Sequence, residues 1–157
     1  MVSFGLVGTA NSTDEEVESN TPWMAVSEGN LELLKSSLQR LNLSVNAADE
    51  NGYTILHAAA SFNQMDIMKY LLEQGVNVHA VDNDGDSALH YAGNTASARF
   101  LVETAQSNPV QVNREGKTPL QTKQEELDEM MQDEDIDDDD DDVEALREIV
   151  QYLSTLR

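Results

Sequence analysis

The chain repeats itself at an interval of 33 residues, and that periodicity decides what it can fold into. Asn51, Gly52, Thr54, Leu56, His57 and Ala59 recur as Asp84, Gly85, Ser87, Leu89, His90 and Ala92. A third copy opens with Glu115, Gly116, Lys117, Thr118, Pro119 and Leu120. Each position has a physical role. Gly52, Gly85 and Gly116 stand where a turn needs a positive φ. Thr54, Ser87 and Thr118 are hydroxyl residues suited to cap a helix start, and Pro119 suits the first helical position. Leu56 and Leu89 are core positions, and the Ala58, Ala59, Ala60 run lets neighbouring helices approach closely. Ile67, Met68, Leu71 and Leu72 then form an apolar stripe on a second helix, which Gly75 ends.

The period and the Gly-x-Thr-Pro-Leu-His-x-Ala pattern resemble the ankyrin repeat across roughly residues 21–122, and again at 143–157. The resemblance implies an all-α repeat solenoid with β-hairpin loops, of about four repeats. Residues 1–20 read as a flexible N-terminal segment. Residues 21–48 carry Ala25 and the Gly29-Asn30 pair, then Leu31, Leu33, Leu34 and Leu38, and read as a capping first repeat. Residues 49–81 form a regular repeat. Residues 82–112 form an irregular one, about three residues shorter before Leu101 and carrying Gly93 where Ala60 stood. Its first helix is expected to be short, and the connection at 106–110 to be about one residue longer.

The last repeat, 113–157, is split. Residues 125–144 hold fourteen acids and no base, two thirds of the net charge of −21. Residues 121–131, rich in Gln, Glu, Leu and Met, read as the first helix of this repeat. Asp is a poor helix former and like charges repel, so the run 133–142 is expected to be disordered, in an insertion placed at about 125–142. Beyond it, Val143, Leu146, Ile149, Val150 and Leu153 recover a helical stripe. Ile149-Val150-Gln151-Tyr152-Leu153 matches Ile67-Met68-Lys69-Tyr70-Leu71. Gly52 lies 19 residues before Leu71, but Gly116 lies 37 before Leu153, so the insertion amounts to 18 residues between the two helices of one repeat. Closing such a loop is tolerable, because each doubling of its length costs only about 0.6 kcal/mol.

The chemistry of a catalyst is not legible. There is no cysteine, which excludes thiol nucleophiles and Cys-based zinc sites. By the resemblance, His57 and His90 are structural, bonding within and between repeats, and His79 shares no close spacing with them. The run from Asp82 to Asp86 fails as a calcium loop, since Ala80 and Tyr91 stand where acids are needed. No phosphate loop or nucleophile elbow occurs. We expect no enzyme activity, no metal and no cofactor. No stretch is long and apolar enough to span a membrane, and no secretory signal is apparent. The expected location is cytoplasmic or nuclear.

A strongly anionic surface repels nucleic acid and attracts basic proteins. The expected partner is therefore a protein, basic in character, bound without direct nucleic-acid contact by a monomeric chain. By the resemblance, binding uses the hairpin tips and the concave face. The candidate residues there are Glu50, Asn51 and Tyr53 on one tip, and Asn83, Asp84 and Asp86 on the next. To these the acid run adds Asp133, Glu134, Asp135, Asp137, Asp138, Asp139, Asp140, Asp141 and Asp142. Small ankyrin proteins with acidic segments resemble dedicated chaperones of ribosomal proteins in yeasts, which implies an escort for a ribosomal protein or histone. The alternative is a scaffold or regulatory subunit using the concave face alone. Ser12 and Thr13, ahead of three acids, are a candidate acid-directed phosphorylation site.

Overall fold

The computed structural model describes residues 21–137 and 139–156. The N-terminal segment with Ser12 and Thr13, and Asp138 in the acid run, lie outside the described residues. The elements pair into successive repeats. Helices α1 (Thr21–Ser27) and α2 (Leu31–Arg40) form the first. Helices α3 (Ile55–Ser61) and α4 (Met65–Glu73) form the second. In the third, α5 (Thr95–Arg99) runs straight into a π-helical turn, Phe100–Thr104. Helices α6 (Pro119–Met130) and α7 (Asp141–Ser154) close the described stack. Single antiparallel bridges, Ala48 to Thr54 and Val81 to Ser87, pin the necks of the first two hairpin loops.

The capping residues do what their positions require. Thr54 and Thr118 accept the N3 amide while the N3 side chain, His57 or Gln121, returns a bond to the cap. Asn30 accepts from the Leu33 amide at 3.0 Å. One apolar core then runs through the repeats, built on Val26, Leu34, Ile55, Ile67, Leu71, Leu89, Leu101 and Ile149, all essentially inaccessible. At full burial such a side chain contributes about 1.5–3 kcal/mol. The stack therefore holds together by interfaces between neighbours.

The third repeat shows where three missing residues and one extra residue go. Its first helix shrinks to a single turn, held by the bonds His90 N–H to Ser87 O, Tyr91 N–H to Ala88 O and Ala92 N–H to Leu89 O. The chain then crosses close to its neighbour. Gly93 N–H donates to Ala60 O at 3.1 Å, and a Cβ on Gly93 would lie 2.4 Å from Ser61 O. The extra residue is not in the connection at 106–110. It sits inside the second helix, where Ala105 N–H reaches back to Phe100 O at 2.9 Å and opens the π turn. Five residues therefore separate Leu101 from Gln106, against four from Leu71 to Gly75. Both helices still end on a positive φ, 59° at Gln106 and 76° at Gly75, so the chain enters the next hairpin in phase.

The expected 18-residue insertion is present in length but not in form. The helices absorb most of it. α6 has twelve residues where α3 has seven. The link from residue 131 to 140 has ten where 62–64 has three. α7 begins twelve residues before Leu153 where α4 begins six before Leu71. Residues 121–130 are helical, as their Gln, Glu, Leu and Met predict, with Leu127 buried; the insertion placed at about 125–142 overlaps this helix and so begins too early. Asp141 and Asp142 are helical too, because they and Glu144 place negative charge in a first turn. Asp140 caps that turn by accepting the Asp142 amide at 2.9 Å. Between these ends the chain winds through turns such as Ile136 N–H to Asp133 O.

α7 is docked. Ile149, Tyr152 and Leu153 join the main core, with Leu120 and Leu156 packed against it. The Tyr152 hydroxyl donates to Glu103 at 3.1 Å, and the Arg99 guanidinium lies 4.8 Å from the Tyr152 ring centroid. Val143, in the part of α7 that a regular repeat lacks, is fully buried. The fold is an ankyrin-like all-α stack whose last helix pair is split by an acidic link.

Candidate functional site

The hairpin tips are built from carboxylates that close their own loops. Asp49 Oδ1 accepts the amides of Asn51 and Tyr53 at 2.8 and 2.9 Å. Asp82 Oδ1 accepts those of Asp84 and Asp86 at 2.9 Å each, while its other oxygen takes the Tyr91 hydroxyl at 2.6 Å. Burial raises the Asp82 carboxyl pKa, but these hydrogen bonds outweigh it and hold the group below its ordinary range. Burial, and then the bond to Asp82, push the Tyr91 hydroxyl well above the usual tyrosine value. Adjacent tips are stitched through the main chain. Asn83 N–H donates to Asn51 O at 2.8 Å, and Arg114 N–H to Asp84 O at 2.9 Å.

The two repeat histidines extend the stitching inward. His57 Nδ1 accepts the Thr54 amide at 3.1 Å, and that amide can only donate. The ring proton must therefore sit on Nε2, which donates to the Asp86 carbonyl at 2.8 Å. His90 repeats the pattern, with Nδ1 on the Ser87 amide and Nε2 on the Lys117 carbonyl at 3.1 Å. Burial lowers both histidine pKa values, which keeps the rings neutral and the bonds intact.

Beside the stitched tips lies an acidic cleft of about 290 Å³ between the third hairpin and α6. Asp84, Asp86, Glu115, Glu125, Glu126 and Glu129 line it. Arg114 and Lys117 border it as well. Lys117 is held 2.6 Å from both Glu115 and Glu125, which raises its pKa and spends its charge locally. The cleft is anionic on balance. A second cleft of about 290 Å³ adjoins it, since Glu126 lines both. Among the described residues no group of three or more His, Asp or Glu converges to hold a metal. No helix among them is long and apolar enough to cross a membrane.

A family model described as ankyrin repeats, three copies, matches residues 22–109, more than half of the chain. The chain belongs to the ankyrin-repeat family. It is 33% identical over 102 residues to an ankyrin repeat-containing protein of Schizosaccharomyces pombe, covering 64% of this chain and 49% of that protein. It is 41% identical over 66 residues to the palmitoyltransferase akr1 of the same yeast, covering 42% of this chain and 10% of the enzyme. It is 31% identical over 102 residues to alpha-latroinsectotoxin-Lt1a of Latrodectus tredecimguttatus, 61% of this chain and 7% of the toxin. The chain thus spans about half the length of the first relative and a tenth or less of the other two. An ankyrin stack is a protein-binding module, and matches this local carry no enzyme activity across.

The ankyrin geometry divides the sequence candidates. Glu50 and Asn51 are exposed on the first tip, and their carbonyls accept from Asn83. Asn83 is exposed beside them. Tyr53 is half-buried: its ring lies 5.5 Å from that of His57 and 5.1 Å edge-on from Tyr91, and its carbonyl accepts the Trp23 indole. Burial raises its pKa. Asp86 is half-buried, and its carboxylate accepts from the Asn113 side-chain Nδ2 at 2.7 Å. Among the described sequence candidates, only Asp84 and Asp86 line the acidic cleft. Asp133, Glu134, Asp135, Asp137, Asp139 and Asp140 lie exposed on the link, with Asp141 and Asp142 on the first turn of α7. Glu125, Glu126 and Glu129 read in the sequence as part of the helix at 121–131 and of the acid-rich stretch, without a place in a site. Their spacing along one helix, with Leu127 anchoring the opposite side, was the signal that could have placed them in a site.

Proposed function

We propose that this ankyrin protein escorts or masks a basic protein, of the ribosomal-protein or histone kind, and that it does so as a monomer without catalysis and without touching nucleic acid. The observation that supports this most is the tethering of the acid run. The link from residue 131 to 140 is held at both ends by α6 and α7, and α7 is locked to the stack through Ile149, Tyr152 and Leu153. A free tail would dilute its charge over a large volume. A short link keeps it beside the acidic cleft, where summed carboxylates raise the local potential and speed encounter with a cation by about 10–1,000-fold. The same charge competes with nucleic acid for the partner. The cytoplasm or nucleus is the compartment where such partners occur.

The test replaces the acids at 133–142 by Asn and Ser and follows association with a histone dimer by stopped flow. The expected result is at least about a tenfold slower rate at low salt, with the difference closing as salt screens charges beyond about 8 Å at physiological strength. An unchanged low-salt rate would overturn the reading. A scaffold binding an ordinary partner is the second reading, and the exposed Glu50, Asn51 and Asn83 on adjoining tips favour it. It requires binding to survive neutralisation of the acid run and to fail on substitution of the tips.

A further inference from the structure

The residue before the tip glycine differs in each hairpin: Asn51, Asp84 and Glu115 precede Gly52, Gly85 and Gly116. The three positions are equivalent in the repeat, but their chemistry is not. Asparagine holds its amide carbon one methylene from the main chain, so the nitrogen of the next residue can close a five-membered ring on it. Glycine leaves that nitrogen unshielded. Glutamate would need a larger and slower ring, and an ionised aspartate offers a poor leaving group. Asn51-Gly52 is the chain's one Asn-Gly pair, and Asn51 is exposed. The peptide unit between them is held at both ends. Its N–H, on Gly52, donates to Asp49 O at 3.0 Å, and its carbonyl, on Asn51, accepts the Asn83 amide at 2.8 Å. Asn51 is the third residue of that turn, where ψ lies near about 0° and the next nitrogen points away from Cβ. Ring closure swings the whole peptide unit about the Cα–C bond, so both hydrogen bonds must first release.

We propose that Asn51 is a self-modification site, and that the stitch between the first two tips sets its rate. When the tip opens, the Gly52 nitrogen gives its proton to solvent and bonds to Cγ of Asn51. The Cγ–Nδ2 bond breaks, and Nδ2 takes a proton from water and leaves as ammonia. Water then opens the cyclic imide at either carbonyl, leaving an aspartate or its β-linked isomer at this position. Both products add a carboxylate to the tip. The β-linked one also lengthens the main chain by a methylene, which displaces the acceptor of the Asn83 amide. The first tip is the one placed to open. The second is stitched on both sides, through Asn83 to Asn51 and through Asp84 to Arg114. Its Asp82 is buried and also holds the Tyr91 hydroxyl. Among the described residues the first tip has a neighbouring hairpin on one side, and its Asp49 is exposed. Local opening is drawn from such regions, where backbone hydrogen bonds face solvent. Conversion reshapes the surface of Glu50, Asn51 and Asn83 on which a scaffold would depend, but the site itself rests on neither reading of function.

The test incubates the full chain, and a peptide spanning residues 47–56, in mildly alkaline buffer and follows conversion at Asn51 by peptide mass mapping. The folded chain is expected to convert at least about tenfold more slowly than the peptide, because its tip must open first. Two variants loosen the tip by different routes. Asp49→Ala removes the acceptor of the Asn51 and Tyr53 amides. Asn83→Pro removes the N–H bound to Asn51 O, at the second position of a turn, which suits proline. Each should raise the rate several-fold toward that of the peptide while helical circular dichroism is kept; a variant that loses it is set aside for the other. Hydrogen exchange in the parent needs no variant: the Gly52 amide should exchange faster than the Gly85 amide. Asn51 intact in parent and variants after the peptide has converted completely, or one rate shared by parent and folded variants, overturns the proposal. So does exchange at Gly52 no faster than at Gly85.

Discussion

Ile149→Ala tests whether the last helix is part of the stack rather than an appendage. Ile149 has no exposed surface and lies in the same core as Leu101 and Leu71. Truncating it removes apolar contact and leaves a cavity that packed helices cannot close, at a cost of about 3 kcal/mol. Val150, one residue on, is only half-buried. Val150→Ala removes two methyl groups, at about 0.8 kcal/mol each when fully buried, so it should cost about 0.8 kcal/mol in all. Urea unfolding followed by far-UV circular dichroism separates them. With a slope of about 1–3 kcal/mol per molar urea, Ile149→Ala should lower the midpoint by about 1–3 M and Val150→Ala by less than a third of that. Trp23 supplies a second probe. It is the chain's one tryptophan, at the far end of the stack, with its indole on the Tyr53 carbonyl. Interfaces between neighbours couple the repeats, so its fluorescence transition should move in parallel. An Ile149→Ala midpoint indistinguishable from that of Val150→Ala would show that α7 does not share the core, and would remove the anchor that holds the acidic link in place.

Three further outcomes follow from single contacts. Gly93→Ala puts a Cβ 2.4 Å from Ser61 O, against main chain that cannot turn aside; about 2 kcal/mol is expected, read by calorimetry as a fall of about 4–8 °C in Tm. Asp82→Ala strips the partner from the Asp84 and Asp86 amides and the Tyr91 hydroxyl; it should cost about 2–3 kcal/mol in urea unfolding, whereas exposed Asp84→Ala should cost under about 0.5. Burial lowers the pKa of His57 and His90 in the folded chain. Above the ordinary histidine value of about 6.5 neither state is protonated and nothing changes; as pH falls through that value the unfolded chain takes up protons the folded chain refuses, so stability declines by up to about 1.4 kcal/mol per pH unit for each ring until the folded values are reached. Urea midpoints from pH 7 to pH 5 should show this decline, and a chain with both histidines replaced by glutamine should show a flatter one.

The repeat made most of the fold legible, because each signature residue performs a local job that needs no tertiary context. Thr54 and Thr118 cap, Gly52 and Gly85 turn at φ of 74° and 79°, and His57 reaches the next hairpin. Where the repeat broke, the alignment counted residues correctly but could not say where they would go. One extra residue in the third repeat was assigned to a loop and instead entered a helix as a π turn, because the Phe100 carbonyl found the Ala105 amide. The eighteen extra residues in the fourth read as an acidic insertion between two helices, and those helices take eleven of them. Composition argued for disorder through the charge of the whole stretch. What decided the outcome was its ends, where Leu127 and Val143 could be buried and where Asp140 could cap.

The same distinction separates the visible half of the candidate site from the hidden half. An acid run announces itself in a sequence, since charge needs no partner to be counted. The acidic cleft does not, because it forms where elements meet: Asp84 and Asp86 come from one hairpin, Glu115 from the next, and Glu125, Glu126 and Glu129 from α6. Electrostatic attraction falls off slowly and treats one lysine much like another. Apolar burial acts only on contact and distinguishes leucine from serine. A chain that had only the acid run would collect every cation in reach. Discrimination has to come from a surface with shape, and in this chain the stitched hairpin tips and the cleft beside α6 supply one.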